Sequence, residues 1–229
     1  MEYLPGLSLA QLVELHGPLP AQRVIHLLTQ TCDALSEAHA HGLIHRDIKP
    51  GNIFAAYRGG VFGVAKLLDF GLAKPLLGVD MPSMELTIDG AIKGSPLYMS
   101  PEQATGDHEA TERSDLYALG GVAYYLLTGQ PPFSGNKPLQ VMIAHAHKDV
   151  VPPSELRAEI PEDLEQIVMR CLAKTPEDRF DNAEQLRSAL LECDAAGLWT
   201  REVAERWWHE HGCPKKKALD QEALVGAGR

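Results

Sequence analysis

The longest stretch without a charged residue, 116–136, constrains most what this 229-residue chain can fold into. Such a run has to be hidden from water, in a bilayer or in a protein interior. A helix crossing a bilayer needs about 20 predominantly apolar residues. Here Gly120-Gly121 and Gln130-Pro131-Pro132 interrupt the run, leaving roughly a dozen strongly apolar positions, too few for a span. The run therefore reads as a core helix over 115–128, stopped by Gly129, in a domain large enough to surround it. Hydrophobic residues at 45% and charged ones at 23% suit such a domain and exclude a disordered or collagen-like polymer.

Around that helix the pattern alternates between helical and strand-like. Residues 9–16 predict a short helix, with Ser8 as its N-cap and Gly17 just past its end. After Pro18 and Pro20, the apolar residues Val24, Leu28, Cys32, Leu35 and Ala38 recur at three- and four-residue spacing, a longer helix ended by Gly42. In 43–70 the periodicity is lost. Leu43-Ile44, Ile53-Phe54 and 64–68 are short apolar runs separated by turn signals such as Gly59-Gly60, and predict strands. Residues 71–98 read as loop, and helices follow at 138–147, 162–173 and 182–193. Beyond Asp194, residues Trp199, Val203, Trp207 and His211 fall four apart, the pattern of a helix docking on the domain, followed by Lys215-Lys216-Lys217.

Charge and cysteine usage narrow the function. With 21 Lys+Arg against 31 Asp+Glu the net charge is −10, which gives no electrostatic reason to expect binding to nucleic acid or an anionic membrane. Cys32, Cys171, Cys193 and Cys213 form no C-x-x-C pair and fit reduced thiols of a cytoplasmic protein better than disulfides or a zinc site. His39, His41 and His45 read as a packed residue and a helix end, not a metal cluster.

The chemistry concentrates in His45-Arg46-Asp47-Ile48-Lys49-Pro50-Gly51-Asn52, which puts an acid, a cation and an amide on one loop. Asp69-Phe70-Gly71 follows, and then Ser100-Pro101-Glu102. In this order and composition the chain resembles the protein kinases, with their H-R-D-x-K-x-x-N loop, D-F-G metal site and A-P-E anchor. The resemblance, to bacterial-type serine/threonine kinases, implies an α+β, mostly α, protein-kinase-like fold of which only the C-terminal lobe is present. It covers 1–193 (hinge and C-lobe) and leaves 194–229 as a C-terminal extension with a Trp-rich helix.

It also implies roles. Phosphoryl transfer depends on positioning and charge neutralisation more than on covalent help. Asp47 would orient the acceptor hydroxyl and take its proton, and Lys49 would reach the γ-phosphate of ATP. Asn52 and Asp69 would hold Mg²⁺ through oxygen ligands. The backbone of Glu2 and Leu4 would bond adenine at the hinge, with Phe54 in the floor beneath it. Lysine at position 49 and Gly94-Ser95 before Pro96-Leu97-Tyr98 indicate protein Ser or Thr hydroxyls as acceptors. Arg46 ahead of Asp47 marks kinases controlled by phosphorylation of the activation segment, with Thr87 as the candidate site. Glu102 with Arg179, and Asp115 beneath the catalytic loop, would be structural supports.

The sequence departs from the family in one respect. No Gly-rich phosphate loop, strand lysine or helix glutamate matches in it, so it is expected to be cut at the hinge and to turn over slowly by itself. Two other readings compete: a catalytically inactive kinase-like interaction module, and a small-molecule phosphotransferase of related fold.

Overall fold

A computed structural model describes residues 5–68, 96–106 and 109–212. A short strand β1 (Gly6–Ser8) leads into helices α1 (Leu9–His16) and α2 (Ala21–Ala40), followed by strands β2 (Ile53–Arg58) and β3 (Val61–Leu67). The rest is helical: α3 (Pro101–Thr105), α4 (Glu112–Thr128), α5 (Pro138–His147), α6 (Pro153–Leu156), α7 (Glu162–Cys171), α8 (Ala183–Glu192) and α9 (Arg201–His211). This is the α+β, mostly α architecture. Among the described residues no helix is long and apolar enough to cross a membrane.

Helix α4 is the charge-free run, and it is surrounded. Leu116, Leu119, Val122, Leu126 and Leu127 are essentially inaccessible, and burying each such side chain contributes about 1.5–3 kcal/mol. Thr111 and Ser114 form a capping box at its start, and Gly129 ends it at φ 81° with its N–H donating to Tyr125 O at 2.8 Å. The glycines that interrupt the apolar run lie inside the helix and let neighbours come close. A Cβ on Gly120 would fall 2.5 Å from Cys171 Cβ of α7. Helix α2 buries Val24, Leu28, Cys32 and Leu35 against α4, α8 and β3. Cys32, Cys171 and Cys193 are free and buried; Cys213 lies outside the described residues.

The sheet is antiparallel in the order β1-β2-β3. Its hairpin turns at Gly59 and Gly60, with φ of 57° and 82°, a left-handed pair that matches the twist of the flanking strands. Register places Phe54 opposite Ser8 on one side and Lys66 on the other. The side-chain amide of Gln30, on α2, accepts from Ala65 N at 3.1 Å and donates to Gly63 O at 3.4 Å.

Several expectations shift. Leu43-Ile44 is not a strand: Leu43 makes an isolated bridge and Ile44 turns into the core. Strand β1 and the short helices α3 and α6 carry too few residues for a periodic signal. The aromatic stripe is also rotated by one position. Trp199 precedes the Thr200 N-cap, and the deeply buried positions of α9 are Ala204 and Trp208, with Val203 and Trp207 at the seam. A strict spacing of four drifts around a helix of 3.6 residues per turn, so the stripe captured the edge of the buried face.

Candidate active site

The loop between α2 and β2 is held from below by one carboxylate. Asp115, in the first turn of α4 and 1% exposed, accepts from His45 N at 2.8 Å, Arg46 N at 2.9 Å and His39 Nε2 at 2.9 Å. A buried carboxylate saturated by such donors is stable, whereas one left bare is very costly. These bonds hold Arg46 at φ 66°, the one positive-φ non-glycine residue among those described. A side chain in that region costs about 1–3 kcal/mol and persists where its surroundings over-determine it.

The bend carries Asp47, Lys49 and Asn52 onto one side of the loop. Lys49 Nζ donates to Asp47 Oδ2 at 2.6 Å. Asn52 Nδ2 donates to Asp47 O at 2.9 Å and to Oδ2 at 3.1 Å. The 3-10 turn Pro50–Asn52, closed by Asn52 N donating to Lys49 O at 2.9 Å, sets this spacing. The amide nitrogen of Asn52 is thus committed to Asp47. No described residue donates to its Oδ1, which leaves a hard oxygen of the kind magnesium takes.

From the other side, Leu68 N donates to Asn52 O at 2.8 Å, and Leu68 O accepts from His45 Nε2 at 3.0 Å. With Nε2 donating, His45 Nδ1 accepts the weak 3.4 Å bond from Asp47 N. The chain is therefore pinned immediately before Asp69. Phe54, next to Asn52 and Ile53 on β2, is half-buried. Of the residues the sequence singles out, Arg46, Asp47, Lys49, Asn52 and Phe54 lie together on this loop and strand; Glu2, Leu4, Asp69 and Thr87 lie outside the described residues. No cluster of three metal-ligating side chains occurs among the described residues.

A second buried layer supports the first. Glu102 accepts from Arg179 Nη1 and Nη2, both at 2.9 Å, and from Ser114 Oγ at 2.6 Å. Ser114 precedes Asp115, and Gln103 Nε2 reaches Arg46 O at 3.4 Å, so this layer touches the loop from two directions. Arg179 also lies 4.9 Å from the centre of the Tyr117 ring. Tyr117 OH donates to His145 Nδ1 at 2.8 Å, and His145 Nε2 donates to Leu97 O at 3.1 Å. Burial pushes His145 down to about 4, which keeps the imidazole neutral and its tautomer defined. Sequence reasoning missed His39, Ser114 and His145. Ser114 carried a signal as the fourth member of the Thr111 capping box, whereas the two histidines act across long sequence separations that no spacing reveals.

With this geometry in place, comparison with known proteins matches the protein kinase domain over residues 1–191. This chain belongs to the protein kinase family. Serine/threonine-protein kinase PknB of Mycobacterium leprae is 40% identical over 191 residues, 83% of this chain and 29% of that protein. PknB of Mycobacterium tuberculosis is 39% identical over the same length. Serine/threonine-protein kinase Pkn1 of Myxococcus xanthus is 44% identical over 190 residues, 83% of this chain and 26% of its own length. The kinase domain here thus spans less than a third of each of these relatives.

Proposed function

We propose that this chain carries the C-lobe of a bacterial-type serine/threonine protein kinase, transferring the γ-phosphate of ATP to protein Ser or Thr hydroxyls. The observation that carries the reading is the Asp47–Lys49–Asn52 cluster, hydrogen-bonded within itself and anchored through the loop backbone to buried Asp115. The names of the relatives support it.

Asp47 Oδ2 is engaged by Lys49 and Asn52, so Oδ1 is the oxygen that accepts from the incoming hydroxyl, aligns it and takes its proton. Lys49 Nζ, about a third exposed, moves from Asp47 toward transferring phosphate oxygens as a point charge. Asn52 Oδ1, with Asp69, would hold Mg²⁺, and Phe54 with the backbone of Glu2 and Leu4 would hold adenine. Bound Mg·ATP supplies the phosphoryl group and the neutralising charge. Arg46 Nε is buried without a hydrogen-bond partner among the described residues, an orphan donor suited to a phosphate on Thr87. The Gly-rich loop and strand lysine of such a reaction have no match in this sequence, so turnover needs a small lobe joined ahead of residue 1. A cytoplasmic location belongs to the same reading, supported by the buried free thiols of Cys32, Cys171 and Cys193.

The test is Asp47→Asn in a protein with a kinase small lobe so joined. Labelling of Ser or Thr should fall by about 100-fold or more, the range for loss of a positioned base. Undiminished labelling would remove Asp47 from the mechanism. Absence of any Ser or Thr labelling in the parent protein would favour the inactive interaction module.

A further inference from the structure

The family match stops at residue 191, yet several side chains beyond it are buried as deeply as the core. Trp208 is 1% exposed and Trp199 7%. These residues close over Arg23, in the first turn of α2 and itself 1% exposed. The guanidinium carbon of Arg23 lies 3.6 Å from the centre of the Trp207 ring, 4.8 Å from Trp199 and 5.6 Å from Trp208. Neither Nη atom has a hydrogen-bond partner among the described residues. The charge rests on ring faces, and burial lowers its pKa to about 9. Ring faces attract a cation through their quadrupole, but a charge removed from water without acceptors is costly. An apolar side chain would fill the same space without that cost. The cation therefore makes this docking specific for aromatic faces and limits its strength.

What the extension grips is the hairpin beside the candidate site. Arg201 Nη2 donates to Gly60 O at 3.0 Å, at the hairpin turn. Gly63, at φ 73°, lies beneath two of the indoles: a Cβ there would sit in ordinary contact, 3.9 Å from Nε1 of both Trp199 and Trp208. Strand β3 is followed directly by Leu68, whose N–H is bonded to Asn52 O. A continuous path of contacts thus joins the aromatic cage to the residue assigned to the metal.

We infer that residues 199–211 are a strap that locks the β2–β3 hairpin, and that Arg23 and Trp207 act through it as positioning residues for the Asn52 site. The functional meaning of the strap rests on the kinase reading above; its mechanical action does not. Closing the strap orders β3, and releasing it returns Arg23 to water while loosening the ladder that fixes Leu68 against Asn52.

Amide hydrogen exchange on the full 229-residue chain tests this, because local opening is resolved segment by segment. Trp207→Ala should speed exchange in 61–68 and 50–58 by about tenfold or more, an opening cost of tenfold being about 1.4 kcal/mol, and leave α4 unchanged. Trp207→Phe, which keeps a ring face over Arg23, should stay near the parent. Trp207→Leu, of similar apolar character but without a ring face, should behave like Ala; equal protection by Leu and Phe overturns the role of Arg23. The strap itself is overturned if 61–68 keeps its protection while α9 exchanges freely, or if every segment accelerates alike. Should the Ala variant fail to fold, Arg201→Ala releases the Gly60 end and is read by the same segments. Exchange requires no turnover, so a failed kinase reading leaves this result standing, and a failed strap leaves the Asp47 test intact.

Discussion

Removing the Glu102 carboxylate tests most sharply how the site is held. Arg179 uses all five of its N–H groups: two go to Glu102, and the rest to the carbonyls of Ala173, Arg113 and Lys174. Both partners are nearly inaccessible. Glu102→Ala leaves the guanidinium with three neutral acceptors and no counter-charge, a loss of about 3–5 kcal/mol for a buried pair broken from one side. The orphaned Ser114 hydroxyl adds about 1 kcal/mol. Against a domain stability of about 5–15 kcal/mol this is a large fraction. With a urea slope of about 2 kcal/mol per molar, the midpoint should fall by roughly 2 M, read by far-ultraviolet circular dichroism. The double variant Glu102→Leu with Arg179→Met removes both charges and should recover part of the loss, with a coupling of about 1–3 kcal/mol. Recovery stays incomplete because three carbonyls and Ser114 lose their partners. A single-variant loss under about 1 kcal/mol, or strict additivity, would refute the argument. The same pair sets an acid limb. Burial alone would raise the Glu102 carboxyl, but hydrogen bonds from Arg179 and Ser114, with the Arg179 charge, outweigh it and hold the group below its ordinary 4.5. Its contribution is therefore complete above about pH 4.5 and is lost as pH falls through the lowered folded-state value. Glu102→Gln should flatten that limb.

Three further outcomes are expected. Asp115→Asn offers one acceptor oxygen where two now serve, orphaning a backbone N–H at about 1–3 kcal/mol; the Arg46 bend should relax and the turnover of a lobe-complete protein fall about 100-fold. His145, lowered by burial to about 4, takes up its proton only well below the 6.5 of an unfolded histidine. Stability should thus decline from about pH 6.5 toward about pH 4, by up to about 3 kcal/mol, and His145→Gln should remove that slope in urea melts at stepped pH. Gly120→Ala should destabilise by about 1–3 kcal/mol through the clash with Cys171. Gly121→Ala faces only a 3.2 Å contact with Tyr98, which a helix-propensity gain of about 1 kcal/mol offsets; thermal midpoints separate the two.

Local features were legible in the sequence where one element decides them. Ser8 and Gly17 bound α1, Gly129 ends α4, and the loop ahead of β2 carries the candidate residues Asp47, Lys49 and Asn52 within one short segment. What escaped depends on distant partners. His39 matters because Asp115 lies 76 residues further on, and His145 because Leu97 and Tyr117 meet it from two other elements. Glycine was misleading for a similar reason. At Gly120 the same residue type that interrupts an apolar run in one dimension is what allows two helices to touch in three. Arg23 shows the limit most clearly, since a cation within a helical pattern reads as solvated until the aromatic residues that enclose it, far along the chain, are placed.

The Gln30 amide has a consequence for how these molecules behave together. A three-stranded sheet has two edges, and an outer strand with unpaired N–H and C=O groups is a template for a strand from another molecule. At Gly63 and Ala65 those groups already face a carboxamide that offers one donor and one acceptor, as a fourth strand would. Concentrated solutions should therefore resist strand-by-strand polymerisation along this side. Gln30→Leu, which fills the same space but offers nothing to the ladder, would turn a closed edge into a sticky one.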